Sequence, residues 1–131
     1  MGEIILNGKS VGKYHLGWSL EKLKSELDES CNLESLDNHF TLTSKNMKFW
    51  VLRDEDMVSQ IMVFGEYDGK FLNEIGIGST IFDLNKYSIQ WAKEDYVYIL
   101  PDYPGICFEL EDIDEWDENV APIEFISIYH P

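Results

Sequence analysis

The chain is poor in cysteine and proline, has no long apolar run, and carries no Lys or Arg after Lys93. Its two cysteines, Cys31 and Cys107, are too few for a disulfide-stapled secreted domain and stand at no metal-ligand spacing. No apolar stretch approaches the roughly 20 residues that a membrane helix needs. The opening Met1-Gly2-Glu3-Ile4-Ile5-Leu6 has neither the basic nor the long apolar region of an export signal. Gly2 followed by Glu3, with no basic cluster, reads as a plain start rather than a myristoylation site. These absences predict a cytoplasmic protein with two ordinary thiols and no membrane association. The missing cations exclude nucleic-acid binding, because phosphate contacts need a basic patch.

What is present is acid and apolar bulk. The 131 residues hold 25 Asp and Glu against 10 Lys and Arg, a net charge of −15. Eleven carboxylates fall within residues 94–131, so the second half carries a strong negative potential. With 44% hydrophobic and 14% aromatic residues the chain is globular rather than disordered. Its length suits a single domain over residues 1–131, since two halves of about 60 residues would each be marginal alone.

Two stretches, about 11–65 and 71–129, have the same order of parts. Leu16 and Ile77, Ser19 and Thr80, Leu20 and Ile81, and Leu23 and Leu84 pair at a constant offset of 61 residues. Each set opens a short helix. Ser19 is a good N-cap, and Leu20, Leu23 and Leu27 share one face of a helix expected over 20–30. Thr80 with Asp83 makes a box-like start, with Ile81, Leu84 and Tyr87 turned inward. Three strand-like runs follow each helix. The first set is Phe40–Thr43, Phe49–Leu52 and Val58–Phe64, reached through a polar connection over 32–38; the second is Tyr96–Leu100, Ile106–Leu110 and Pro122–Tyr129. Asn7-Gly8 predicts a hairpin between Glu3–Leu6 and Val11–Leu16, and Asp68-Gly69 a second one pairing Val63-Phe64 with Phe71-Leu72. The expected fold class is α+β: an antiparallel sheet with two short helices, built as a tandem helix-plus-meander repeat. The main asymmetry is the turn before the last strand, short at 53–57 and long at 111–121.

The steps Gly17-Trp18-Ser19 and Gly78-Ser79-Thr80, each entering a short helix and then an antiparallel meander, resemble the architecture of the β-lactamase inhibitor proteins and of small bacterial lipoproteins that share it. The resemblance covers about residues 11–129 and implies a scaffold that binds other proteins. The chain departs from it in lacking a signal peptide, a lipobox cysteine and the inhibitor's disulfides. In size and acidity it also resembles the immunity proteins of bacterial toxin systems.

Candidate chemistry concentrates in Glu109–Glu118. A calcium loop needs alternating carboxylates, a Gly at the bend and a terminal bidentate Glu; Asp112, Asp114 and Glu118 occur without the Gly, so no metal is expected. Trp116, set among charges, either anchors a partner or folds back onto the core. The rigid loop Pro101-Asp102-Tyr103-Pro104-Gly105 is either an ordinary hairpin connection or a further part of the same acidic and aromatic rim. The candidate partner-binding residues are therefore Asp102, Tyr103, Glu111, Asp112, Asp114, Glu115, Trp116, Asp117 and Glu118. Cys31 with His39, and Cys107 with His130, fit no nucleophile signature, and Gly76-Ile77-Gly78 lacks the third Gly of a dinucleotide loop. No catalytic residue and no cofactor is expected. The sequence thus predicts a non-enzymatic acidic protein that neutralises a basic protein partner, a nuclease-like toxin domain above all. The alternative is an intracellular structural or regulatory domain whose acidity serves solubility.

Overall fold

A computed structural model describes residues 3–27 and 31–131. The chain begins with β1 (Ile4–Leu6), β2 (Ser10–Val11) and β3 (Tyr14–His15), followed by α1 (Leu20–Glu26) and the four strands β4 (Asn32–Ser35), β5 (His39–Thr43), β6 (Met47–Leu52) and β7 (Met57–Phe64). After β8 (Lys70–Phe71) and α2 (Ile81–Lys86) come four more: β9 (Ala92–Glu94), β10 (Val97–Ile99), β11 (Ile106–Leu110) and β12 (Ile123–Tyr129). The fold is mostly sheet, with two helices. One sheet has the order β3-β2-β1-β8 and the other β4-β5-β6-β7-β12-β11-β10-β9. All pairs of the eight-stranded sheet are antiparallel.

Register decides what the large sheet buries. One row across it runs Leu33, Leu42, Phe49, Ile61, Ile128 and Ile106, and the next runs Lys93, Tyr98, Phe108, Ile126 and Val63. Because paired residues share a face, Leu42 to Ile106 of the first row and Tyr98 to Val63 of the second form one wall of the core, while Leu33 and Lys93 at the sheet edges are exposed. Leu23 of α1, Ile81 and Leu84 of α2, and Ile5, Val11 and Phe71 of the small sheet complete it, each 0% or 1% exposed. Burying each such side chain stabilises by about 1.5–3 kcal/mol, so helices and both sheets depend on one another.

The two helices are entered in the same way. Gly17 N–H donates to the Val58 carbonyl at 2.8 Å, and Val58 N–H to Trp18 at 2.8 Å; Gly78 N–H donates to Ile123 at 2.9 Å, and Ile123 N–H to Ser79 at 2.7 Å. Gly17 and Gly78 have φ of 90° and 92°. The Ser19 hydroxyl accepts from Lys22 N–H, and the Thr80 hydroxyl from Asp83 N–H, with Asp83 returning a bond to the Thr80 N–H. Bulges follow at matching places, between Trp50 and Val51 and between Glu109 and Leu110.

Several expectations are corrected. The polar connection over 32–38 contains β4, whose residues are all exposed: an edge strand paired on one side and solvated on both faces lacks the alternation that reveals strands. β9, also an edge strand, was absent from the expected order for the same reason. The Asp68-Gly69 hairpin does not form. The chain turns at Gly65-Glu66, and Lys70–Phe71 pairs in parallel with β1 rather than with β7, placing Phe71 beside Ile5 in the core. The Asn7-Gly8 hairpin forms, but the chain turns again at Gly12-Lys13 to split its second arm into β2 and β3. Helix α1 ends at Glu26, with Leu27 already extended; positions 28–30 of the expected helix, like Gly2, lie outside the described residues. Tyr87 caps the C-terminus of α2 and is 41% exposed rather than turned inward.

Candidate functional site

The β9–β10 hairpin turns tightly, Glu94 opposite Val97, with Asp95 at φ 57°. That turn holds Tyr96 out in solvent, 86% exposed. On the core face of the hairpin, Lys93 lies opposite Tyr98. The long connection 111–122 leaves the adjacent strand β11 and folds across this corner. Together they enclose a cleft of about 360 Å³ lined by Lys93, Tyr96, Tyr98, Leu110, Asp112 and Trp116.

Trp116 is 50% exposed, so it neither folds onto the core nor stands wholly free. Glu118 braces two of the lining residues from outside the cleft. Its Oε2 accepts from the Tyr98 hydroxyl at 2.6 Å and lies 3.6 Å from Lys93 Nζ. The Lys93 ammonium sits 5.7 Å from the Tyr98 ring centroid, and Trp91 tilts against that ring at 5.7 Å while donating its indole N–H to Asn85 at 2.9 Å. Burial, then the hydrogen bond to Glu118 and its charge, holds the Tyr98 phenol well above its ordinary value.

The structure sorts the candidate carboxylates by duty. Asp117 Oδ1 accepts from Asn119 N–H at 2.9 Å, and the Asp117 carbonyl accepts from Val120 and Ala121, so Asp117 caps a local turn. Glu118 is committed to Tyr98 and Lys93. Glu111, Asp112, Asp114 and Glu115 are exposed, and Asp112 lines the cleft.

Asp102 and Tyr103 do not join this surface. Their loop joins β10 to β11, whereas 111–122 joins β11 to β12, so the two connections leave opposite ends of β11; its five residues span about 16 Å. Successive turns of a meander always alternate ends. Tyr103 packs edge-on against Phe71 at 5.2 Å, and the loop is stitched to the first hairpin by Gly8 N–H to Gly105 at 3.0 Å and by the Asn7 side chain to Pro104 at 2.8 Å. Gly105 has φ 89°, and a Cβ there would lie 2.7 Å from the Gly8 Cα, so only glycine permits this approach. The loop is a structural tie.

Lys93, Tyr96, Tyr98 and Leu110 were missing from the sequence-derived set. Tyr96 carried a signal: a large aromatic directly after two acidic residues in a tight turn. The open face of the large sheet was missed as well. Its central row is Thr43, Lys48, Met62, Ser127, Cys107 and Ile99, flanked by Trp50, Phe64, Phe125 and Tyr129. Ser127 at its centre is buried and the others are half-buried; Phe64 and Phe125 meet edge-on at 6.1 Å, and the Lys48 ammonium lies 4.9 Å from the Trp50 ring.

The Cys107 thiol is not activated as a nucleophile. Burial, then the Glu109 charge, pushes the Cys107 thiol up to about 11, opposite to the shift that nucleophilic catalysis requires. Cys31 packs partly buried against the core. Among the described residues no group of three or more His, Cys, Asp or Glu is arranged to hold a metal ion, and no helix is long and apolar enough to cross a membrane.

No family model and no curated protein matches the chain. Among solved structures it is similar to the uncharacterized protein YfeY from Escherichia coli, with a TM-score of 0.60 at 13% identity, covering 99% of this chain and 100% of that one. At that identity the likeness concerns the fold alone.

Proposed function

We propose that the chain is a non-enzymatic, cytoplasmic binding protein that docks a basic protein partner on the acidic, aromatic cleft between the β9–β10 hairpin and the 111–122 loop. The observation that carries this reading is the exposure of Tyr96 and Trp116 at one cleft, 86% and 50%, within a stretch that holds no cation after Lys93. An exposed aromatic is a preferred anchor when a partner covers it, and one-signed charge around it speeds encounter with a cleft of opposite sign. A protein whose own ligand is nucleic acid presents such a cleft. The partner class is therefore a nuclease-like toxin domain, and the chain acts as its immunity protein by placing carboxylates where phosphates would bind.

We further infer that the scaffold is an α+β tandem duplication. Matching helix entries, matching bulges and the exchange-symmetric pairs Ile61–Ile128 and Val63–Ile126 about the β7–β12 seam support it. The duplication carries the same framework twice and the cleft once.

The test is co-purification from the native host followed by kinetics with the captured basic protein. Asp112→Lys with Asp114→Lys slows association by about tenfold or more and flattens its salt dependence, since rim charges act on the on-rate. Trp116→Ala speeds dissociation, losing about 2 kcal/mol. Association indifferent to both charge reversal and ionic strength refutes the reading and leaves acidity as a solubility device.

A further inference from the structure

We propose that the cleft takes one arginine side chain of the basic partner, and that Lys93 is an internal cation holding that place until the partner arrives. This rests on the docking reading above and names what the cleft recognises. The lining includes two exposed aromatic side chains, Tyr96 and Trp116, the Asp112 carboxylate, and Tyr98, whose hydroxyl donates to Glu118 just behind the cleft. A planar guanidinium stacks on aromatic faces while its N–H fork reaches carboxylates, and a compact ammonium does only the second. At about 360 Å³ the cleft stands at the low end of the range for small-ligand pockets, about 300–1,000 Å³, a size suited to one long side chain.

Lys93 already makes a weak version of the expected contacts. Its ammonium lies 3.6 Å from Glu118 Oε2, longer than a charge-assisted hydrogen bond of about 2.7–2.9 Å, and 5.7 Å from the Tyr98 ring. Both partners of the ion pair are partly exposed, with side chains 43% and 32% accessible, so water screens it and a better-fitting cation displaces it readily. The remaining potential is strongly negative, as no other Lys or Arg lies between residues 93 and 131. The site therefore selects a cation, and its aromatic walls favour a flat one.

The probe is a Gly/Ser peptide carrying a single arginine, titrated against the full chain by indole fluorescence and by amide chemical shifts. Saturable shifts are expected at Tyr96 and Trp116, weakened at least fivefold by replacing the arginine with uncharged citrulline and at least threefold by replacing it with lysine. Trp116→Ala or Tyr96→Ala weakens binding at least fivefold. Lys93→Met does the reverse and tightens it at least threefold, because a competing cation is removed. A role for Lys93 confined to structure predicts no tightening. All three positions are partly or wholly exposed, so thermal midpoints close to the parent's accompany each variant. Equal binding of arginine and citrulline peptides, or weaker binding by Lys93→Met, overturns the proposal. Either result is compatible with salt-sensitive capture of the whole basic protein, so the docking reading fails only in its own charge-reversal experiment.

Discussion

In the first half one row of the sheet, from exposed edge to buried centre, reads Leu33, Leu42, Phe49, Ile61; in the second the corresponding row reads Lys93, Tyr98, Phe108, Ile126. The inner two positions keep their apolar character, and the outer two exchange leucines for a lysine and a tyrosine. The turns beside these rows diverge too. At 53–56 the chain makes a compact turn in which Asp56, at φ 50°, accepts from the Leu20 N–H at 3.1 Å and so helps to cap α1. At 111–122 the longer connection reaches α2 through the Asn119 carbonyl, 3.4 Å from Phe82 N, and lines the cleft at the sheet corner with Asp112 and Trp116. Arg53 closes the first corner from within, bonding Ser35 and the Leu36 carbonyl while its guanidinium lies 4.3 Å from the Phe40 ring. The first half thus seats its own guanidinium on its own aromatic. The second half offers aromatics and carboxylates with only Lys93 to cover them. The first corner is closed from within, and the second is left open around Lys93.

That contrast is most severely tested in the core, where the halves should not differ. Leu23→Ala and Leu84→Ala, both at fully buried positions, should each cost about 2–5 kcal/mol and lower one common thermal transition seen by far-ultraviolet dichroism and tryptophan fluorescence. Separate transitions for the two halves would show that each core stands alone.

A smaller effect separates the two rows. Tyr98→Phe removes a hydrogen bond to a carboxylate and should cost about 1.5 kcal/mol, with no equivalent at Leu42. The Tyr98 phenol is raised above its ordinary 10.0, so its contribution is whole below pH 10 and is lost as pH rises further, when the unfolded chain ionises first. Urea unfolding at pH 8 and pH 10.5 should show this alkaline loss in the parent and a smaller one in Tyr98→Phe.

At the helix starts, Thr80→Ala should destabilise by about 1 kcal/mol and Ser19→Ala by somewhat less, because only Thr80 belongs to a reciprocal box. Thermal midpoints of the two variants measure the difference. The slightest change concerns stability least. With its thiol pushed up to about 11 from 9.0, Cys107 should react with iodoacetamide roughly a hundredfold more slowly at neutral pH than an ordinary cysteine of equal access, the rate rising toward pH 11.

Local chemistry is legible in the amino-acid order: the N-caps Ser19 and Thr80, the inward Leu23, Ile81 and Leu84, the strands with clean alternation, and a long acidic loop carrying Trp116. These are legible because capping, helical periodicity and strand alternation act within a few residues. Whatever depended on a distant partner was decided by tertiary structure. Edge strands β4 and β9 show no alternation because pairing with β5 and β10, not burial of one face, defines them. Phe71 joined β1 rather than β7, since its apolar ring fits beside Ile5 and the turn dipeptide before it does not outweigh that burial. Asp102 and Tyr103 were parted from Trp116 by the alternation of ends in a meander, and Tyr103 was drawn onto Phe71. Lys93, Tyr96 and Tyr98 entered the cleft for the same reason in reverse: only the pairing of β9, β10 and β11 brings a hairpin tip under a loop that lies some 20 residues further along the chain.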